Sequence, residues 1–113
     1  MYKETEKIIM IKVAITLRVL LNQNRNKNFT DPNAENEASV NSYEKIATNS
    51  SADIRKATIT NAFSGKKKST MITIILIVES MGYNMTDFGN QYDKITSKDI
   101  LEFKETILKT NRS

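Results

Sequence analysis

The chain has 113 residues, of which 39% are hydrophobic, 27% charged, 3 Gly and 1 Pro, the profile of one globular domain with a modest core built from helices rather than short, tightly turned strands. Neither cysteine nor histidine occurs, which excludes disulfides, thiolate chemistry, imidazole acid–base catalysis and any Cys/His zinc site. The net charge is +4, and all of the excess falls within residues 41–70, where six basic side chains face two acidic ones, a placement that favours a local polyanion contact over a diffuse solubility effect.

Residues 3–24 predict a first helix, with apolar side chains at 8, 11, 15 and 19 and a second row at 9, 13, 17, 20 and 21. So wide an apolar face suits a helix packed on two sides. Its run IIMIKVAITLRVLL (8–21) is interrupted by Lys12 and Arg18, too short and too charged to span a bilayer, and it lacks a signal-peptide cleavage pattern. The expectation is a buried helix of a cytoplasmic protein. Residues 22–40 then lose large apolar side chains and read as a long connector. Within it Asp31-Pro32 can cap one short extra helix.

The next helix starts near Asn41, with Glu44 at capping-box spacing, and runs through YEKIATNS. A turn over Ser50–Asp53 leads to an amphipathic segment at 54–64. A further helix begins at Ser69 or Thr70 and covers TMITIILIVESM; ITIILIV (72–78) alone could be a strand, but the length of the run and Gly82 favour helix. Asn84-x-x-Asp87 and Thr96-x-x-Asp99 predict two more helices, 85–93 and 97–110. The last carries a stripe of Ile100, Leu101, Phe103, Ile107 and Leu108, a candidate dimer contact or completion of the core. Met71, Met81 and Met85 read as core or linker residues. The expected fold is a single all-α domain, a bundle of five or six helices.

The segment at 54–64 is the informative one. On a helical wheel Ala62 and Phe63 fall beside Ile59 and form its buried side, while Ala57, Asn61 and Ser64 fall opposite, flanked by Thr58 and Thr60. The outward ridge is short-chained and free of acid, unlike the mixed charge of an ordinary solvated face. Asparagine can offer an acceptor and a donor together to adenine, and threonine or alanine methyls can touch a thymine methyl. Arg55 and Lys56 belong to the first turn, the end that enters deepest in helix-turn-helix proteins. Gly65 can stop the helix in a left-handed conformation. Lys66, Lys67 and Lys68 follow in a loop, where their ammoniums can reach backbone phosphates; the plain alternative is a solvated charge run.

The order SYEKIATNS, turn, RKATITNAFSGKKKST, MITIILIVESMGYNMTDF resembles the helix-turn-helix domain of the phage Cro/repressor (XRE-like) family. The matching features are Ile46-Ala47, Thr58-Ile59, Phe63-x-Gly65, the basic loop, and Met81-Gly82 followed by Asp87-Phe88. They cover about 41–90, with residues 5–22 as the first helix. The resemblance implies a lambda repressor-like fold. It makes Lys56, Ala57, Thr60 and Asn61 base-edge readers beside Arg55, and Tyr43, Thr58 and Lys66–Lys68 phosphate contacts; for Tyr43, a packing role is the plainer reading. Two features depart from the family: the link before the recognition helix is about two residues longer, with Ser51 where glycine is usual, and the 22–40 connector is longer. The expected function is sequence-specific binding of double-stranded DNA by a homodimeric bacterial or phage-type transcriptional regulator, a repressor acting by occupancy. No catalytic residue, metal, cofactor or small-molecule ligand is expected. The alternative is a helical protein-interaction module, such as an antitoxin-like or mobile-element adaptor.

Overall fold

Among the described residues, four helices begin at a short polar side chain whose oxygen accepts a backbone N–H that the first turn cannot satisfy internally. The computed structural model describes residues 3–30, 42–50 and 54–108, and among these the only regular structure is helical. The elements are α1 (Glu4–Thr30), α2 (Tyr43–Asn49), α3 (Lys56–Ser64), α4 (Met71–Ser80), α5 (Met85–Asp93) and α6 (Ser97–Phe103), the last widening into a π-helical turn, Lys104–Leu108. The fold is an all-α bundle. No helix among the described residues is long and apolar enough to cross a membrane.

The caps explain the starts. Ser42 accepts from the Lys45 N–H and Thr70 from the Thr73 N–H, so α2 begins one residue after the position that the Asn41 reading implies. Asn84 with Asp87, and Thr96 with Asp99, form complete capping boxes. The β-branched run at 72–78 lies within α4, a helix. At its end Gly82 takes φ 90°, its N–H donates to the Glu79 carbonyl at 3.0 Å, and the Tyr83 N–H donates to the Val78 carbonyl at 3.1 Å. That left-handed stop is open to glycine at no steric cost.

Helix α1 packs against α3, α5 and α6, while α4 lies against α2 and α5 and α2 against α3. Leu17, Leu20 and Leu21 join Ile46, Ile59, Phe63, Ile77, Val78, Met81 and Phe88 in the main core. Ile11 and Ala14 form a second cluster with Phe103, against which Ile15, Ile100 and Ile107 are packed. The two-sided first helix is thus real. The stripe on α6 is spent largely within the chain, with Phe103 at its centre, so it is not a free dimer face; Leu101 alone of its described side chains is exposed, at 56%. Met81 is buried and Met85 half-buried, but Met71 is 66% exposed and fills no core.

The largest departure from the sequence reading is where α1 ends. It continues to Thr30, so residues 22–30 are helix and not connector. The reason is Asn24, only 3% exposed, whose Nδ2 donates to the Met81 carbonyl at 3.0 Å while its Oδ1 accepts from the Tyr83 hydroxyl at 2.8 Å. A polar residue that would mark a loop in isolation here ties the end of α4 to α1. The short helix at Asp31-Pro32, the cap at Asn41, positions 51–53 of the inter-helix turn and residues 109–110 of the last helix lie outside the described residues. Asn24→Ala is expected to cost about 1–3 kcal/mol, because it takes a partner from the buried Met81 carbonyl and from the part-buried Tyr83 hydroxyl. Chemical denaturation measures it, with exposed Asn22→Ala, within about 0.5 kcal/mol of wild type, as the control.

Candidate nucleic-acid interface

Why α3 presents the ridge it does follows from three residues on its inner side. Ile59, Ala62 and Phe63 are buried at 0%, 3% and 0% exposure, and burying Phe63 against the Tyr43 ring, 4.7 Å away between centroids, fixes the rotation of the helix. Ala57, Thr58 and Thr60 are consequently exposed, and Asn61 and Ser64 half-buried. No acidic residue stands in the first turn. Thr60 donates its hydroxyl to the Lys56 carbonyl at 3.0 Å, so outward it offers an acceptor and a methyl.

Arg55 sits just before the helix, exposed and extended (φ −76°, ψ 146°), with no side-chain capping bond. It is a flanking residue and not a first-turn one. Lys56 opens the helix, and its ammonium lies 3.1 Å from Glu44 Oε1 on α2. Both side chains are well exposed, at 58% and 77%, and such surface pairs contribute about 0–1 kcal/mol. Lys56 is thus held weakly, next to a carboxylate at one edge of the ridge.

The other end of α3 is built with more constraint. Gly65 takes φ 73°, and a Cβ there would lie 3.2 Å from Phe103 Cε1 and 3.6 Å from the Ile11 Cα. Both the left-handed conformation and the close approach require glycine. The Ser64 hydroxyl donates to the Asn61 carbonyl at 2.8 Å and accepts the Lys66 N–H at 3.2 Å, which attaches the basic loop to the last turn. Lys66 and Lys67 are exposed, and among the described residues neither has a carboxylate within ion-pair distance. Lys68 differs: it forms an ion pair with Glu6 of α1. The Lys68 hydrogen bond, and then the Lys3 backbone N–H, hold the Glu6 carboxyl below its ordinary value. A depressed carboxylate contributes stability above the usual carboxylate range and loses it as pH falls through the lowered value. Tyr43 is half-buried against Phe63, the packing position, at the mouth of a concavity of about 360 Å³ lined also by Arg25, Ser42, Glu44 and Lys56.

Two arginines that the sequence reading passed over belong to this region. Arg18 donates from Nε to the Phe63 carbonyl at 2.7 Å, and its guanidinium lies 5.3 Å from the Phe103 ring centroid. A cation on a last-turn carbonyl suits the negative end of the helix. Arg25 reaches the concavity because α1 runs on past residue 24. Its spacing of seven from Arg18 places both on one helical face, a signal legible only once the helix is known to continue.

Ala57, Thr58, Thr60, Lys66 and Lys67 are therefore exposed and, among the described residues, away from carboxylates, with Asn61 and Ser64 half-buried between them, while Lys56 and Lys68 contact Glu44 and Glu6. Among the described residues no group of three or more acidic, histidine or cysteine side chains could hold a metal ion. No family model, curated protein or solved structure matches the chain.

Proposed function

We propose that the protein binds double-stranded DNA sequence-specifically in the cytoplasm, with α2 and α3 as a helix-turn-helix and α3 seated in the major groove, and that it acts as a bacterial or phage-type repressor of the Cro/repressor kind. The observation that carries this reading is the outward side of α3: Ala57, Thr58 and Thr60 exposed and Asn61 partly so, with no acid among them. Short side chains let a helix approach base edges, and the absence of carboxylates spares it repulsion from phosphate. Lys66 and Lys67 then neutralise phosphates beside the groove, while Arg55 and Lys56 meet the duplex at the other end of the helix. Blocking a promoter by occupancy needs no further chemistry. One helix reads few base pairs, so two copies on half-sites about 34 Å apart supply selectivity. Titrating labelled duplex pools of AT-containing sequence at low salt, followed by fluorescence anisotropy, tests the reading; saturable binding is expected, and its absence for every duplex rejects it.

Asn61→Ala is expected to relax base preference at one operator position by about 1–3 kcal/mol, measured by competition among single-base operator variants. Glu44→Gln should act in the opposite sense. Removing the carboxylate 3.1 Å from Lys56 frees its ammonium for the duplex and tightens binding to the operator by up to about fivefold, the equivalent of a surface ion pair. A second reading, a helical protein-interaction module, draws on a different surface, where Met71 and Ile72 are 66% and 71% exposed. Unchanged duplex binding in both variants would favour it.

A further inference from the structure

Helix α4 is apolar on both sides. Ile74, Ile77 and Val78 face the core, and Met81 continues that row. Opposite them on the wheel stand Ile72, Ile75, Leu76 and Glu79. Ile72 is 71% exposed, adjacent Met71 is 66% exposed, and Ile75 and Leu76 are half-buried. Glu79 is the acidic residue in this row, and Met71 and Ile72 beside the half-buried Ile75 and Leu76 make a larger exposed apolar patch than the single apolar side chains common on surfaces.

We propose that a second copy of the chain docks on this face, α4 against α4 in antiparallel orientation. Charge selects both the occupant and the direction. With a two-fold axis between Ile75 and Leu76, each Ile75 faces the other copy's Leu76. Each Glu79, which is exposed, then comes over the first turn of the other α4, beside its Ile72. That turn contains no acidic residue and presents the positive end of the helix dipole. A parallel pairing would set Glu79 against Glu79. The face is thus complementary to itself, as a two-fold interface requires. The inference stands apart from the DNA reading, because association is measured without DNA; the DNA reading supplies a use for it.

Sedimentation velocity from low to hundreds of micromolar tests it. The wild type is expected to form a reversible dimer. Ile72→Glu should weaken association by about tenfold or more, the loss of a buried isoleucine from each copy, with helical circular dichroism and melting unchanged because Ile72 touches no core. Glu79→Lys should also weaken it. The double variant Ile72→Glu, Glu79→Lys should recover association above either single variant, since opposite charges again meet across the axis. Leu101→Glu, on the exposed side of α6, should leave association as in wild type. A wild type monomeric throughout overturns the proposal and leaves the face to another protein. A dimer insensitive to both Ile72→Glu and Glu79→Lys, or a double variant no better than the single ones, overturns it equally.

Discussion

Phe63→Ala is expected to lower the unfolding free energy by about 3–5 kcal/mol, the upper range for truncating a fully buried side chain. The side chain is 0% exposed in the main core and packed beside Tyr43, so its loss leaves a cavity there that close packing cannot easily collapse. Since domains of this size are stable by about 5–15 kcal/mol, the variant should sit near its unfolding threshold at moderate temperature. Urea melts at constant m-value measure the change, with Met71→Ala, at a 66% exposed position, as the matched control. The effect should also reach the ridge. Phe63 sets the rotation of α3 through the Tyr43 ring, and its carbonyl is held by Arg18. A shift larger in duplex affinity than folded fraction explains would show that the core residue orients the reading helix; a cost below about 1 kcal/mol would show that α3 is not keyed by this side chain.

What could be read in advance from the residues was what local chemistry decides. The capping boxes at Asn84–Asp87 and Thr96–Asp99, the stop at Gly65, and the buried row of Ile59, Ala62 and Phe63 depend on neighbours within one or two turns, and the structure has them where the spacing puts them. The strand-like run in α4 was ambiguous because β-branched residues suit either state; the Thr70 cap and the Gly82 stop resolve it. What could not be read depends on contacts between distant elements. Asn24 looks like a loop residue until Met81 and Tyr83, 57 and 59 positions away, are brought to it. The apolar stripe of α6 does not announce whether α1 or a second chain will cover it. Nor does a count of lysines reveal that Glu44 and Glu6 hold Lys56 and Lys68.

Those two contacts divide the cationic residues into unequal classes. Replacing Lys66 and Lys67 together by Ala is expected to flatten the dependence of log K on log salt by about two and to reduce duplex affinity roughly hundredfold at low salt, since each phosphate contact contributes a slope near 0.9. The loss should be alike for all duplexes, because phosphates carry no sequence information. Lys68→Ala should have a smaller effect, since its ammonium already faces Glu6 and must leave one anion to meet another. Glu6→Gln should raise the contribution of Lys68 to the level of its neighbours. All three lysines are exposed, so melting curves should hardly move. An unchanged salt slope in the double variant would place the loop away from the duplex, and a loss confined to one operator would mean that these lysines read bases. Equal effects from Lys66, Lys67 and Lys68 would show that the Glu6 contact gives way to DNA at no cost, and the division of the loop into free and held charge would then have no consequence for binding.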